Sequence, residues 1–115
     1  MSRNQSILIV LFGVTVAVGS SSVGAQSPAP TMHVIGQRGS QFNPPTLTVR
    51  KGDILVFVND DNKPHHVVSH TPLQTFDLDL IQPGSEVRQV MDRAGEVVIG
   101  CDVHPRMETI VTVVE

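Results

Sequence analysis

Cys101, His104 and Met107 stand three residues apart in Cys101-Asp102-Val103-His104-Pro105-Arg106-Met107, near the end of a 115-residue chain. Upstream, Lys63-Pro64-His65-His66-Val67-Val68 supplies two adjacent imidazoles. One thiolate, one thioether and two imidazoles make a trigonal His₂Cys plane with a long axial Met, a set suited to one copper ion. Thiolate and thioether favour Cu(I) and imidazole accepts both oxidation states, so the metal can cycle with little rearrangement. Taken singly, each residue has an ordinary use as a buried thiol, a core methionine or a surface imidazole. The joint spacing is far more specific. Structural zinc takes four Cys or His ligands and does not use a thioether, so copper fits better. Cys101 is the only cysteine. Exported proteins normally pair their cysteines, and a lone one calls for a role such as metal ligation.

The elements that must position these residues read as short strands. Cys101 ends one strand. His104 returns across a tight turn braced by Pro105, and Met107 arrives as the next strand begins. Successive strand side chains point to opposite faces, so only one of His65 and His66 can reach the same point; spacing alone leaves open which. Thr31–Ile35, Thr46–Arg50, Ile54–Asn59, His65–Ser69, Phe76–Ile81, Glu86–Met91, Glu96–Cys101 and Thr109–Val114 are separated by turn signals at sandwich-like intervals. In Phe76–Ile81, Phe76, Leu78 and Leu80 alternate with Asp77 and Asp79, which places the three apolar residues on one face. No helical period and no internal repeat appears after residue 25. The fold class is all-β, a Greek-key β-sandwich of about eight strands.

The first 25 residues read differently. Met1–Ser6 is polar with Arg3, Ile7–Val18 is uncharged and apolar, and Val23-Gly24-Ala25 is small. This is the pattern of a secretory signal peptide cut after Ala25, and the apolar run is short for a membrane span of about 20 residues. The division is 1–25 signal peptide and 26–115 a single domain, with no stable membrane association after cleavage. Setting Arg3 aside leaves 7 basic against 11 acidic side chains, a net charge of −4. With no basic cluster and no Trp or Tyr for base stacking, nucleic-acid binding is excluded. Asp60, Asp61, Asp77 and Asp79 lack the Gly and terminal Glu of a calcium loop. They read as a solvated face, or as a docking patch for a basic partner. His33 and His70 have no motif support.

The sequence resembles the plastocyanin/amicyanin branch of the cupredoxins, closest to amicyanin-like and methylamine-utilisation-type proteins. The resemblance rests on Phe42-Asn43-Pro44-Pro45-Thr46-Leu47-Thr48-Val49, Gly52-Asp53, Phe57-Val58-Asn59 through Pro64-His65, Pro83-Gly84, Ala94-Gly95 and Cys101–Met107. It implies an eight-stranded sandwich with one type-1 copper at one end. In these proteins the ligand His directly follows Pro, six residues after a strand Asn, which selects His65 here. The implied metal ligands are therefore His65, Cys101, His104 and Met107, with His104 at the solvent edge and Val103, Pro105 and Pro64 forming an apolar collar. His66 stands where the family usually has Asn. That Asn ties its strand to the residue after the ligand Cys, so a His66–Asp102 link is expected, with the His66 backbone N–H donating to Cys101 sulfur.

The expected function is one-electron transfer between redox proteins of the dehydrogenase or cytochrome type, in the periplasm, by a monomer that is not itself an enzyme. The same ligands would also serve a copper-delivery module without an electron-transfer role. A copper enzyme ranks last, because it needs further copper sites with extra His-rich motifs, and this chain has five His.

Overall fold

A computed structural model describes residue 13 and residues 29–115 of the chain. Apart from residue 13, the expected signal peptide and its cut after Ala25 lie outside the described residues. Nine strands run in order: β1 Met32–Arg38, β2 Gln41–Asn43, β3 Thr46–Arg50, β4 Ile54–Asn59, β5 His65–Ser69, β6 Phe76–Ile81, β7 Glu86–Val90, β8 Gly95–Cys101 and β9 His104–Val114. They form two sheets, one ordered β2-β1-β4-β7 and the other β3-β9-β8-β5-β6. Each sheet holds one parallel pair, β1 with β4 and β3 with β9, and the remaining pairs are antiparallel.

The inner faces meet in one core that includes Ile35, Phe42, Leu55, Phe57, Val97, Ile99 and Val111. Phe42 and Phe57 meet edge-to-face with ring centroids 6.0 Å apart, a favoured aromatic arrangement. Burial of such side chains contributes about 1.5–3 kcal/mol each. That burial sets the register, because a one-residue slip would send every core side chain to the solvent face.

Three features differ from the sequence-based expectation. A ninth strand, β2, pairs with the end of β1 in a region expected to hold turns. The last strand begins at His104, five residues before Thr109, so His104 and Met107 ride on a strand and the turn shrinks to Asp102-Val103. The alternation of β6 also breaks. His66 pairs with Leu80 but Val68 pairs with Asp77, so β6 holds an extra residue, and Asp79 sits at φ 63°. An extra residue bends the strand and reverses the facing of the residues beyond it. Leu80 therefore points out, half exposed, and Ile81 is buried in its place.

Candidate metal centre

His65 opens β5, Cys101 closes β8 and His104 opens β9, and these three strands are neighbours in one sheet. The register pairs Cys101 directly with His104, with an irregularity between Gly100 and Cys101. A strand end, a two-residue turn and a strand start thus place a thiol and an imidazole side by side. Cys101 Sγ lies 3.8 Å from His104 Nδ1, and the His65 and His104 ring centroids are 5.1 Å apart. One potential ligand atom from each of His65, Cys101 and His104 falls within 4.8 Å of the others. Met107, three residues along β9 from His104, is buried and lines the same cavity as Cys101.

The donor set passes a test of fit to copper at His65. The residue is fully buried, yet its Nδ1 has no hydrogen-bond partner. A buried polar atom without a partner costs free energy unless something binds it. Its other nitrogen, Nε2, lies 2.8 Å from Asp61 Oδ2. The His65 hydrogen bond, followed by the Ser40 backbone N–H, holds the Asp61 carboxyl down at about 2. An ionised carboxylate can only accept, so Nε2 is the nitrogen that donates, and in the neutral imidazole Nδ1 is the one left with a lone pair. That is the state a metal requires of an imidazole.

Asn59 organises the loop behind this pair. Its amide N–H groups donate to the carbonyls of Lys63 at 2.9 Å and Ile81 at 2.7 Å, and its Oδ1 accepts the Asp61 N–H at 2.9 Å. The Ser40 N–H donates to Asp61 Oδ2 at 3.1 Å. A side chain of one sheet thereby aims a carboxylate at an imidazole of the other. Sequence reading places Asp61 on a solvated face and gives it no part in the site. The available signal is an acid four residues before the histidine that succeeds Pro64.

Of the two adjacent histidines, His65 turns into the cluster and His66 turns outward. The His66 backbone N–H donates to Cys101 Sγ at 3.3 Å, as expected. Its side chain differs from expectation. His66 Nε2 lies 2.5 Å from Asp77 Oδ1, while Nδ1 is 3.8 Å from Asp102 Oδ2. The Asp77 carboxyl is lowered, first by the His66 hydrogen bond and then by the Asp79 N–H. Asp102 makes its shorter contact with exposed His70, at 3.2 Å. At the other end of the sandwich, His33 Nε2 bonds Asp53 Oδ2 at 2.9 Å.

No family model matches the chain. Over 71 residues it is 35% identical to methylamine utilization protein MauL of Methylorubrum extorquens, a match spanning 59% of this chain and 62% of MauL. The chain thus spans less than two thirds of that relative's length. Among solved structures, a reduced variant of amicyanin superposes with a TM-score of 0.68 at 22% identity, covering 74% of this chain and 84% of amicyanin. The chain has the cupredoxin fold. A purple cupredoxin from Nitrosopumilus maritimus shares the fold at TM-score 0.63 and 23% identity, over 70% of this chain and 97% of that one. So does part of a copper-containing nitrite reductase from Thermus scotoductus, at TM-score 0.67 and 26% identity, over 78% of this chain and 23% of the reductase. The cupredoxin fold accounts for the two-sheet order, and the cluster of His65, Cys101 and His104 sits on adjacent strands of one sheet.

Proposed function

We propose that this chain is an exported type-1 copper protein that carries single electrons between larger redox proteins. The observation that carries the reading is the buried, unpartnered His65 Nδ1 beside Cys101 and His104. His65, Cys101, His104 and Met107 hold the metal in this reading, and copper supplies one-electron chemistry when bound. Each residue has a distinct task. Cys101 is the thiolate, and the His66 N–H bonded to its sulfur tempers its charge. Burial of His65, Cys101 and Met107 keeps water from three sides of the site. His104 is only half-buried, with Pro64, Val103 and Pro105 exposed in the segments around it. A redox partner docking on that apolar rim meets the site at the His104 edge, and a small apolar patch suits brief contact.

Several features support the remaining parts of the reading. The signal-peptide pattern of residues 1–25 supports export to the periplasm. The relatives include a copper enzyme and a protein of methylamine utilization, and the partners in this reading are dehydrogenase or cytochrome proteins.

The test is to load the protein with Cu(II) and record visible and EPR spectra through a cycle of reduction and reoxidation. The reading requires an intense thiolate-to-copper band that bleaches on reduction and returns on oxidation. Tight Cu(I) binding with no reversible cycle would replace it with the delivery-module reading.

A further inference from the structure

The two sheets treat their outer faces differently. On the five-stranded sheet the register aligns Thr48, Thr112 and Glu96 across β3, β9 and β8, a polar row beside the half-buried row of Ile110 and Val98. On the four-stranded sheet the register aligns Met32 with Ile54 and Val90, Val34 with Val56 and Arg88, and Gly36 with Val58 and Glu86. Met32 is 46%, Val34 63% and Val90 48% exposed. Val56 is only 4% exposed yet stands outside the core cluster, because its cover comes from neighbours on this outer face. Strand β4 reads Ile54-Leu55-Val56-Phe57-Val58, apolar on both sides. A strand with one wet face normally alternates, and a continuous apolar run belongs to a strand covered on both faces. The second sheet covers only Leu55 and Phe57.

We infer that this outer face, built on Met32, Val34, Ile54 and Val90, is a homodimer interface: its occupant is a second copy of the same chain. Charge selects that occupant. Glu86 and Arg88 lie two residues apart on β7, on the outer side, both more than half exposed and only loosely paired at 3.9 Å. A two-fold axis lying in the interface plane, perpendicular to β7 and passing between them, sets Arg88 of each copy against Glu86 of the other, the self-complementarity of an isologous interface. The location also permits it. Every residue of the metal cluster lies on the other sheet, so pairing through this face leaves the His104 edge free for redox partners.

Size sets the strength. Four strands at about 4.8 Å spacing, averaging about five residues at about 3.3 Å each, give a footprint of roughly 320 Å². A standard interface takes about 800 Å² from each partner, so this one forms a transient, concentration-dependent dimer. The inference is independent of the electron-transfer reading and departs from the monomer expected from sequence.

The experiment is sedimentation velocity on the exported, copper-loaded protein from roughly 1 μM to 1 mM, the span over which weak association appears. The expected result is a sedimentation coefficient that rises from monomer toward dimer with concentration. Val34→Glu should abolish the rise while leaving the visible band and melting temperature unchanged, since Val34 is largely exposed. Glu86→Arg and Arg88→Glu should each weaken dimerisation at least tenfold, and the double exchange should restore it. A wild type that stays monomeric across the range overturns the proposal, and a foreign protein or nothing then covers the face. Association that survives Val34→Glu, or that is lost in Val103→Asp, places the interface elsewhere and overturns it equally.

Discussion

Two aspartate–histidine pairs flank β4, one before it and one after it, and they are built almost alike. Asp53 accepts from His33 Nε2 at 2.9 Å and from the Thr31 and Arg50 N–H groups, each at 3.0 Å. Asp61 accepts from His65 Nε2 at 2.8 Å and from the Ser40 N–H at 3.1 Å. In both, the histidine hydrogen bond leads and backbone donors come second, and each carboxyl is held down at about 2. They differ in what lies beyond the ring. The His33 side chain is 22% exposed, so water can serve its second nitrogen. The second nitrogen of His65, Nδ1, is sealed in the core with no hydrogen-bond partner. The same pair fastens a strand where it ends in solvent and turns an imidazole toward the Cys101–His104 cluster where it ends in a buried, unpartnered nitrogen.

The strongest way to break this comparison is to remove the groups facing the cluster. Cys101→Ala should eliminate the thiolate-to-copper band altogether, since no other cysteine exists, and His65→Ala should open the site and collapse the band. His33→Ala should leave its position and intensity unchanged. A blue band that survives in Cys101→Ala refutes the ligand set. Equal spectral damage from His33→Ala and His65→Ala would erase the distinction between the pairs.

Next in size is the carboxylate behind each ring. Asp61→Asn should weaken copper binding by about 10–100-fold, the usual consequence of losing the partner that orients a ligand. Asp53→Asn should leave the affinity where it was. Titration against a chelator of known strength measures both, with circular dichroism to verify that each variant is folded.

The pairs should also show in acid. The Asp53 carboxyl titrates at about 2 when folded, against an ordinary 3.8. The unfolded chain therefore binds the proton first. The stabilisation is present above 3.8 and lost as pH falls through that value toward 2. Thermal melts of metal-free protein should show a steep loss of melting temperature across this window. Asp53→Asn should start lower at neutral pH and fall less steeply. It should not become flat, because Asp61 and Asp77 are depressed too. An acid limb of unchanged slope would mean that Asp53 does not carry the linkage.

The smallest effect concerns His66, whose pairings are exposed and correspondingly weak. Double-mutant cycles reading thermal stability of the loaded protein should give a larger coupling for His66→Ala with Asp77→Ala than with Asp102→Ala, in line with the 2.5 and 3.8 Å separations. The reverse order would restore the link to Asp102 that the family pattern suggests.

What the sequence determined by itself was local. Cys101, His104 and Met107 could be read as one group because a hairpin return is a property of a few consecutive residues. The all-β class came from turn signals and short apolar runs for the same reason. Which neighbour of Pro64 faces inward needed either a family resemblance or a fold, since a strand alternates whichever register it takes. The tertiary structure alone decided the rest. Leu80 faces out because β6 holds one more residue than its partner, a fact about pairing that the Phe76–Ile81 alternation cannot contain. Asp61 serves His65 because Asn59, through carbonyls 4 and 22 residues away, bends the loop until the carboxylate meets the ring. His66 meets Asp77 before Asp102 because β6, not the Cys101 turn, lies under its ring nitrogen. Hydrogen bonds depend on distances of a few tenths of an ångström between groups far apart in the chain, and only the packed sheets set those distances.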